Sequence, residues 1–304
     1  MNIKTHIEDY LGYLKMERGL SLNSVASYRH DLFEFISYRF PSNVKKINPT
    51  IANDYLAALF RLGRKPSTIA RKISALKGFF AYLVNSDILK ENPFATLSAP
   101  KISRYHPGYL SPTEIQQIID CIDITQRYGW RDRMVVELLY GSGLRISELI
   151  ELKHKDIEIE AGFIRVTGKG NKQRLVPLGQ FAQEAIEKNL CSDTSKPSLP
   201  SDNHLLLNRF GKPFSRVGLW KLVKRCVLRA GITKPVSPHT FRHSFATHMI
   251  EGGADLRVVQ EMLGHADIST TQIYTRIDQD YIVAEHRKYH PRELAGAKDD
   301  RSTC

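Results

Sequence analysis

The sequence predicts a mainly α-helical protein with a small antiparallel β-sheet, divided into two domains. Three observations carry this. Apolar residues recur at helical spacing through most of the first hundred positions. A proline-bearing, basic stretch from Asn92 to Gly108 then breaks the pattern. Beyond it, further helical stretches are interrupted by three short alternating or apolar runs with turn residues between them. At 304 residues with 42% hydrophobic residues, the chain can fill two moderate cores.

The first domain reads as four main helices. Residues 3–17 place Ile3, Ile7, Tyr10, Leu11 and Leu14 on one stripe, and Gly19 breaks the helix. Ser21 can cap a second, holding Val25, Tyr28, Leu32, Phe35 and Ile36 and closed by Pro41. A third runs from about Thr50 to Leu62 and ends at Gly63. Pro66-Ser67-Thr68 opens a fourth with Ile69, Ile73, Leu76, Phe80 and Leu83 inward. Arg61, Arg64, Lys65, Arg71, Lys72 and Lys77 gather around its start, and positions 1–100 hold 14 Lys and Arg against 8 Asp and Glu. A solvated helix face is one reading. Phosphate contacts along a duplex fit the charge of the whole chain better.

Pro93, Pro100 and Pro107 flank Lys101, Ser103, Arg104 and His106, a short basic linker. The predicted division is 1–100, a linker at 101–108, a second domain at 109–293, and a polar, mobile tail at 294–304 following Pro291. Ser111-Pro112-Thr113-Glu114 is a capping-box helix start. Residues 131–140 form an apolar helix through Met134, Val135, Leu138 and Leu139. Gly141-Ser142-Gly143 interrupts it, and helix resumes with Arg145 at its start. From this segment alone, a surface arginine paired with Glu148 or Glu151 is the simpler reading of Arg145. Strands follow at 156–159, 163–167 and 173–177, with Lys169 and Lys172 on the hairpin tip between the last two. Residues 190–203 read as a loop. Ser215 to Ala230 is a helix carrying Arg216, Lys221, Lys224, Arg225 and Arg229, placed to lie along DNA.

The densest signals lie between Ser237 and Tyr274. Ser237-Pro238 starts a helix, with His239 and Arg242 on one face near that start and Phe241, Phe245 and Met249 on a buried one. Gly252-Gly253 ends it. A short helix from Asp255 to Leu263 is expected to bury Leu256, Val259 and Met262, and Gly264 stops it just before His265. Ser269 or Thr270 can cap a third short helix carrying Tyr274. Residues 278–289 look helical. Arginine forks bind phosphate oxygens, histidine moves protons near neutral pH, and tyrosine can be a nucleophile, so the set suits a phosphodiester.

A net charge of +12 and a pI near 9.5 favour a polyanionic partner. The four cysteines, Cys121, Cys191, Cys226 and Cys304, are too dispersed for a zinc knuckle or a disulfide framework. A reducing, cytoplasmic setting fits them. No signal-peptide core opens the chain, and no apolar run approaches the ~18 residues of a membrane span.

With Arg145, Lys169, His239, Arg242, His265 and Tyr274 in that order, nearly the whole chain resembles the tyrosine recombinases of the phage integrase family. The matching segments are Gly143 to Leu149, Gly168-Lys169-Gly170, His239 to His243, Leu263-Gly264-His265 and Tyr274. Size, Ser269 to Thr275 and His290-Pro291-Arg292 make it most similar to the bacterial Xer type. The resemblance implies an N-terminal SAM-like core-binding domain, an α+β catalytic domain, and six catalytic residues with Tyr274 as nucleophile. It implies DNA contacts as well, for which Arg64, Lys65, Arg71, Lys72, Lys77, Arg216, Lys221 and Arg225 are the expected residues. No metal and no cofactor is implied, since a 3′-phosphotyrosine keeps the energy of the phosphodiester. The implied partners are a double-stranded recombination site, a tetramer on DNA formed alone or with a related recombinase, and an activating division-linked DNA translocase. The implied role is resolution of chromosome dimers, with the segment after Tyr274 docking on a neighbouring protomer.

Several residues have plainer readings. His243 and His248 are expected to pack or cap. His239 and His243 share the spacing of zinc-binding histidines, but no Glu follows His239, which weakens a metalloprotease reading. Tyr281 and Tyr289 are lesser rivals to Tyr274. A mobile-element integrase, a relaxing topoisomerase and a non-catalytic DNA-binding regulator are the alternative functions.

Overall fold

A computed structural model describes residues 2–38, 43–100, 108–168, 173–192, 204–264 and 276–299. The chain divides into two units, Met1–His106 and Pro107–Cys304.

In the first unit, α1 (Ile3–Met16) starts where the Asn2 side chain accepts the Lys4 N–H, and its predicted stripe is buried along its length. Ser21 accepts the Ser24 N–H and starts α2 (Leu22–Ser37). Asn48 caps α3 (Pro49–Arg61), and Pro66 opens α4 (Pro66–Asn85). These helices close over Leu32, Phe35, Tyr55, Ile69, Leu76, Phe80 and Phe94, with Phe35 edge-on to Tyr55 and Phe94.

The second unit opens with the predicted capping box. The Ser111 N–H donates to Glu114 at 2.7 Å, the Glu114 N–H donates to Ser111 Oγ at 3.2 Å, and α5 (Pro112–Asp120) follows. Next come α6 (Gly129–Gly141) and α7 (Ile146–Glu151). Strands β1 (Ile157–Glu158), β2 (Phe163–Thr167) and β3 (Gln173–Pro177) form an antiparallel meander, with Ile164 opposite Val176. Helices α8 (Gln180–Cys191), α9 (Arg216–Arg229), α10 (Pro238–Gly252), α11 (Leu256–Leu263), α12 (Arg276–Tyr289) and α13 (Pro291–Asp299) complete it. Helix α6 is the core of the unit. Met134, Val135, Leu138 and Leu139 are fully buried, and so are Phe241, Phe245 and Met249 of α10.

Some expectations need correction, and others fall outside the described residues. The polar segment after Pro291 continues as helix α13 through Asp299, and its first residues find partners within the unit; residues 300–304 lie outside the described residues. Arg292 reaches Glu137 and Gln116, and Glu293 accepts the Gln180 N–H at the start of α8. Leu256 is exposed, since the apolar stripe of α11 runs through Val258, Val259, Met262 and Leu263 and Leu256 sits at its edge. At α10 Ser237 is the N-cap ahead of Pro238, as expected, and it forms a capping box with Thr240, whose Oγ1 accepts the Ser237 N–H at 3.0 Å. Pro41, the hairpin tip at 169–172, most of the 190–203 loop and the helix expected to carry Tyr274 lie outside the described residues.

Candidate active site

The site grows from the turn between α6 and α7. Gly143 has φ +57°, a backbone that side-chain-bearing residues rarely adopt. A Cβ there would stand 2.6 Å from Phe245 Cδ1, so the turn needs glycine for space as well. Ser142 Oγ donates to the Pro177 carbonyl at 2.8 Å and ties the turn to β3. The chain then delivers Arg145 to the N-terminal boundary of α7.

Three arginines meet one carboxylate there. Glu148 lies one helical turn after Arg145 and is buried. It accepts from the Arg145 N–H at 2.7 Å and from Arg145 Nη1 at 2.8 Å. Arg174 of β3 grips it two-pronged at 2.8 and 2.9 Å. Arg242 Nη1 stands 3.8 Å from Glu148 Oε2. The three guanidinium groups also share a row of carbonyls at the end of α11. Arg174 Nε donates to Met262 O at 2.8 Å, Arg242 Nη2 to Leu263 O, and Arg145 Nη2 to Gly264 O at 3.3 Å. Arg242 Nη1 donates to Gly143 O at 2.7 Å. Gly264 has φ +63°, and a Cβ there would meet Arg174 Cδ at 2.9 Å, so a second glycine turn closes on the cluster.

The electrostatics follow. Burial would push the Glu148 carboxyl up, but hydrogen bonds and charge from Arg174 and Arg145 outweigh it and hold the group at about 2. Burial, aided by the charges of Arg145 and Arg174 and opposed by Glu148, brings Arg242 down to about 9, which leaves it cationic at neutral pH. One carboxylate cannot neutralise three guanidinium groups, so the cluster keeps a positive excess that favours an anion. Arg145 is the most open of the three, with its side chain 35% exposed against 7% for Arg174 and 10% for Arg242.

Of the six predicted catalytic residues, the structure brings Arg145 and Arg242 together. His239 lies exposed on the first turn of α10, one turn before Arg242. Lys169, His265 and Tyr274, like the rival Lys172, lie outside the described residues. His265 directly follows Gly264 in the chain, and Tyr274 precedes α12 by two positions. Arg174 escaped the sequence reading. Its signal was a lone charge inside the otherwise apolar run of β3, at a buried position. The expected pairing of Arg145 with Glu148 is present, though Glu148 is buried. His248 packs as expected, with Nδ1 2.9 Å from Tyr140 Oη, and His243 is exposed beside the Tyr109 ring.

The expected DNA-contact residues fall into two groups. Lys65 is exposed, and Arg64 and Arg71 are about half exposed with Glu34 and Asp31 as partners. Lys77 donates to the Ala95 carbonyl at 2.9 Å. Lys72 is a correction: it is buried, with Nζ 3.0 Å from Asp31 and 2.7 Å from Glu34, so its ammonium is spent inside the fold and does not face a duplex. On α9, Arg216, Lys221 and Arg225 are exposed, and Arg225 lies 3.0 Å from Asp132.

Clustered guanidinium groups with a positive excess, two at helix starts and one on β3, suit a phosphate or another compact anion. Comparison with known proteins narrows the class. The phage integrase family model matches residues 108–280, and that for the phage integrase N-terminal SAM-like domain matches residues 7–87. The chain is 40% identical over 297 residues to tyrosine recombinase XerD of Staphylococcus haemolyticus, covering 95% of this chain and 100% of that one. It is 42% identical over 294 residues to tyrosine recombinase XerD of Chlorobaculum tepidum, covering 94% and 96%. In fold it is similar to a lambda integrase (75–356) dimer bound to a COC′ core site, with TM-score 0.71 and 19% identity, covering 90% of this chain and 100% of that one. The Tn1549 transposon integrase in complex with circular intermediate DNA gives TM-score 0.72 and 20% identity, covering 98% and 99%. The chain belongs to the phage integrase family and is a tyrosine recombinase, an enzyme that breaks and rejoins DNA.

Proposed function

We propose that this recombinase exchanges strands at a specific double-stranded site and thereby resolves chromosome dimers before cell division. The observation that carries the reading is the joining of Arg145 and Arg242 around Glu148, beside the Leu263-Gly264 turn that leads into His265. In this reading the two guanidinium groups grip the non-bridging oxygens of the scissile phosphate, where negative charge builds in the transition state. Tyr274 Oη forms the bond to phosphorus as the bond to the 5′-oxygen breaks. Lys169 protonates that leaving oxygen, His239 takes the phenolic proton, and His265 donates a hydrogen bond to the phosphate. The product is a 3′-phosphotyrosine and a free 5′-hydroxyl. Attack by the partner strand's 5′-hydroxyl reverses the step in a new combination, so the bond energy is conserved without a nucleotide cofactor.

Support for the cellular role comes from the similarity to proteins named XerD, which extends along 95% of the chain. By that similarity the enzyme acts in the cytoplasm as a tetramer on two DNA sites, alone or with a related recombinase, and a division-linked DNA translocase switches it on. Among the described residues no helix is long and apolar enough to cross a membrane. Arg64, Lys65, Arg71, Arg216, Lys221 and Arg225 supply the phosphate contacts that hold the duplex.

A duplex carrying the site and a nick next to the cleavage position tests this reading, because the cut fragment diffuses away and the covalent complex accumulates. We expect a covalent band with the wild type and its loss in Tyr274→Phe. Plasmid relaxation without exchange between two sites would replace the recombinase reading with a topoisomerase one.

A further inference from the structure

The turn that delivers Arg145 is held from behind by the far end of α12. His286 is buried, and its Nε2 lies 2.7 Å from the Gly141 carbonyl, so the ring carries its proton on Nε2 and donates it there. Gly141 is the last residue of α6, where carbonyls have no partner within the helix, and His286 supplies one from another element. His290 stacks on His286, with ring centres 4.7 Å apart and planes 18° apart. Its Nδ1 accepts the Arg292 N–H at 3.2 Å, and its ring lies 4.8 Å from that of Tyr140. Phe245 packs on both imidazoles, at 6.1 and 5.5 Å, and fills the space that a side chain at Gly143 would need. The Gly143 carbonyl in turn accepts from Arg242. An unbroken run of buried contacts therefore leads from His290 through His286, Gly141 and Gly143 to the arginine cluster.

Neither imidazole reaches that cluster. Burial, with the Arg287 charge, brings His286 down to about 4 against the pull of the Gly141 carbonyl. Burial, with His286, His248 and Arg292 nearby, holds His290 well below the ordinary histidine range. Both rings are neutral at neutral pH and serve no proton transfer there. A leucine would fill the same volume at no polar cost. What it could not supply is a directed hydrogen bond to the carbonyl at which helix gives way to the catalytic turn. The placement in the chain matters too: α12 begins two residues after Tyr274 and ends on the turn that carries Arg145.

We propose that His286 is a positioning residue for strand cleavage, braced by His290, whose hold on Gly141 fixes the turn and through it the reach of Arg145 and Arg242 toward the phosphate. The inference rests on the reading that these two arginines hold the scissile phosphate. It makes the docking of α12 a condition for an assembled site, beyond its place in the core.

The test uses the full chain and single-turnover cleavage of the nicked duplex at saturating enzyme, with site affinity and thermal unfolding measured alongside. His286→Gln keeps an amide donor near the position of Nε2, and His286→Asn withdraws it. The Gln variant should cleave within about threefold of wild type and the Asn variant about ten- to a hundredfold more slowly, with affinity changed less than about twofold. Ile118→Val, a core change in α5, serves as the control for lost stability alone and should keep the rate. Equal rates for Asn and Gln, or an Asn deficit matched by the control at equal stability, would overturn the proposal. Should the Asn variant fail to fold, His290→Leu decides: it removes the brace and should slow cleavage, and an unchanged rate counts against the role. Arg145→Lys is measured in parallel. If it cleaves like wild type, the phosphate-binding reading itself fails; if it is slow while Asn and Gln match, only the positioning role fails.

Discussion

Glu148 shows how one residue can serve stability and chemistry together. It accepts from Arg145 and Arg174 and stands near Arg242, so it fixes three cations that would otherwise repel one another. Its folded carboxyl sits at about 2 against an ordinary 4.5. A carboxyl depressed on folding stabilises the protein above its unfolded pKa, and that contribution is lost as pH falls through the folded one. The window here runs from about 4.5 down to about 2, and the contribution at neutral pH is about 3 kcal/mol. Glu148→Gln should therefore lower the stability of the second unit by about 3 kcal/mol at pH 7, with the gap closing as pH approaches 2. Urea unfolding of both proteins at pH 7 and pH 3 checks it, and a gap that does not narrow would show that charge is not what Glu148 contributes. Arg145 and Arg242 were legible through the motifs that carry the family resemblance, Gly143 to Leu149 and His239 to His243, although the first segment alone favoured a surface arginine paired with Glu148 or Glu151. Arg174 was not, because nothing local distinguishes a buried charged strand residue from an exposed one; its partner Glu148 lies 26 positions away. Lys72 was misplaced for the same reason, since Asp31 lies 41 positions before it.

At the scale of elements, what the chain encodes locally was readable and what it encodes at a distance was not. The capping box at Ser111, the stripe of α1 and the glycine stops at Gly253 and Gly264 each depend on residues within a turn or two, and each appears where the spacing put it. Helix α13 depends on partners far back in the chain. Arg292 forks onto Glu137 of α6, donates to Gln116 of α5 at 2.7 Å, and lies 3.8 Å from the centre of the Phe181 ring of α8. Seen alone, its polar composition reads as a loose tail. Arg292→Leu should cost about 3 kcal/mol or more by stranding the buried Glu137 carboxylate, and Arg292→Lys somewhat less, since an ammonium keeps the charge but loses the fork. Thermal unfolding of the two variants checks the order, and a Leu variant as stable as wild type would remove α13 from the folded core. Deleting residues 278–304 would strip Ile282, His286, His290 and Arg292 from the interior, so it tests folding and not the docking on a neighbouring protomer that the family resemblance implies.

For the whole molecule, the charge of +12 and the arginine cluster answer different questions. The first draws the chain to any duplex, with a salt dependence set by the number of phosphates contacted. The second, on the proposed reading, serves one scissile phosphate. The order of six residues across the second unit was visible in the sequence, and the structure adds the carboxylate and carbonyls that hold two of them in place. The proposed chemistry requires that Tyr274 carry the DNA after cleavage. Wild-type enzyme trapped on a nicked duplex, digested with protease and nuclease and mapped by mass spectrometry, tests it most directly. A nucleotide is expected on the peptide containing Tyr274 and on no other tyrosine. A nucleotide on Tyr281 or Tyr289, or on a non-tyrosine side chain, would contradict it.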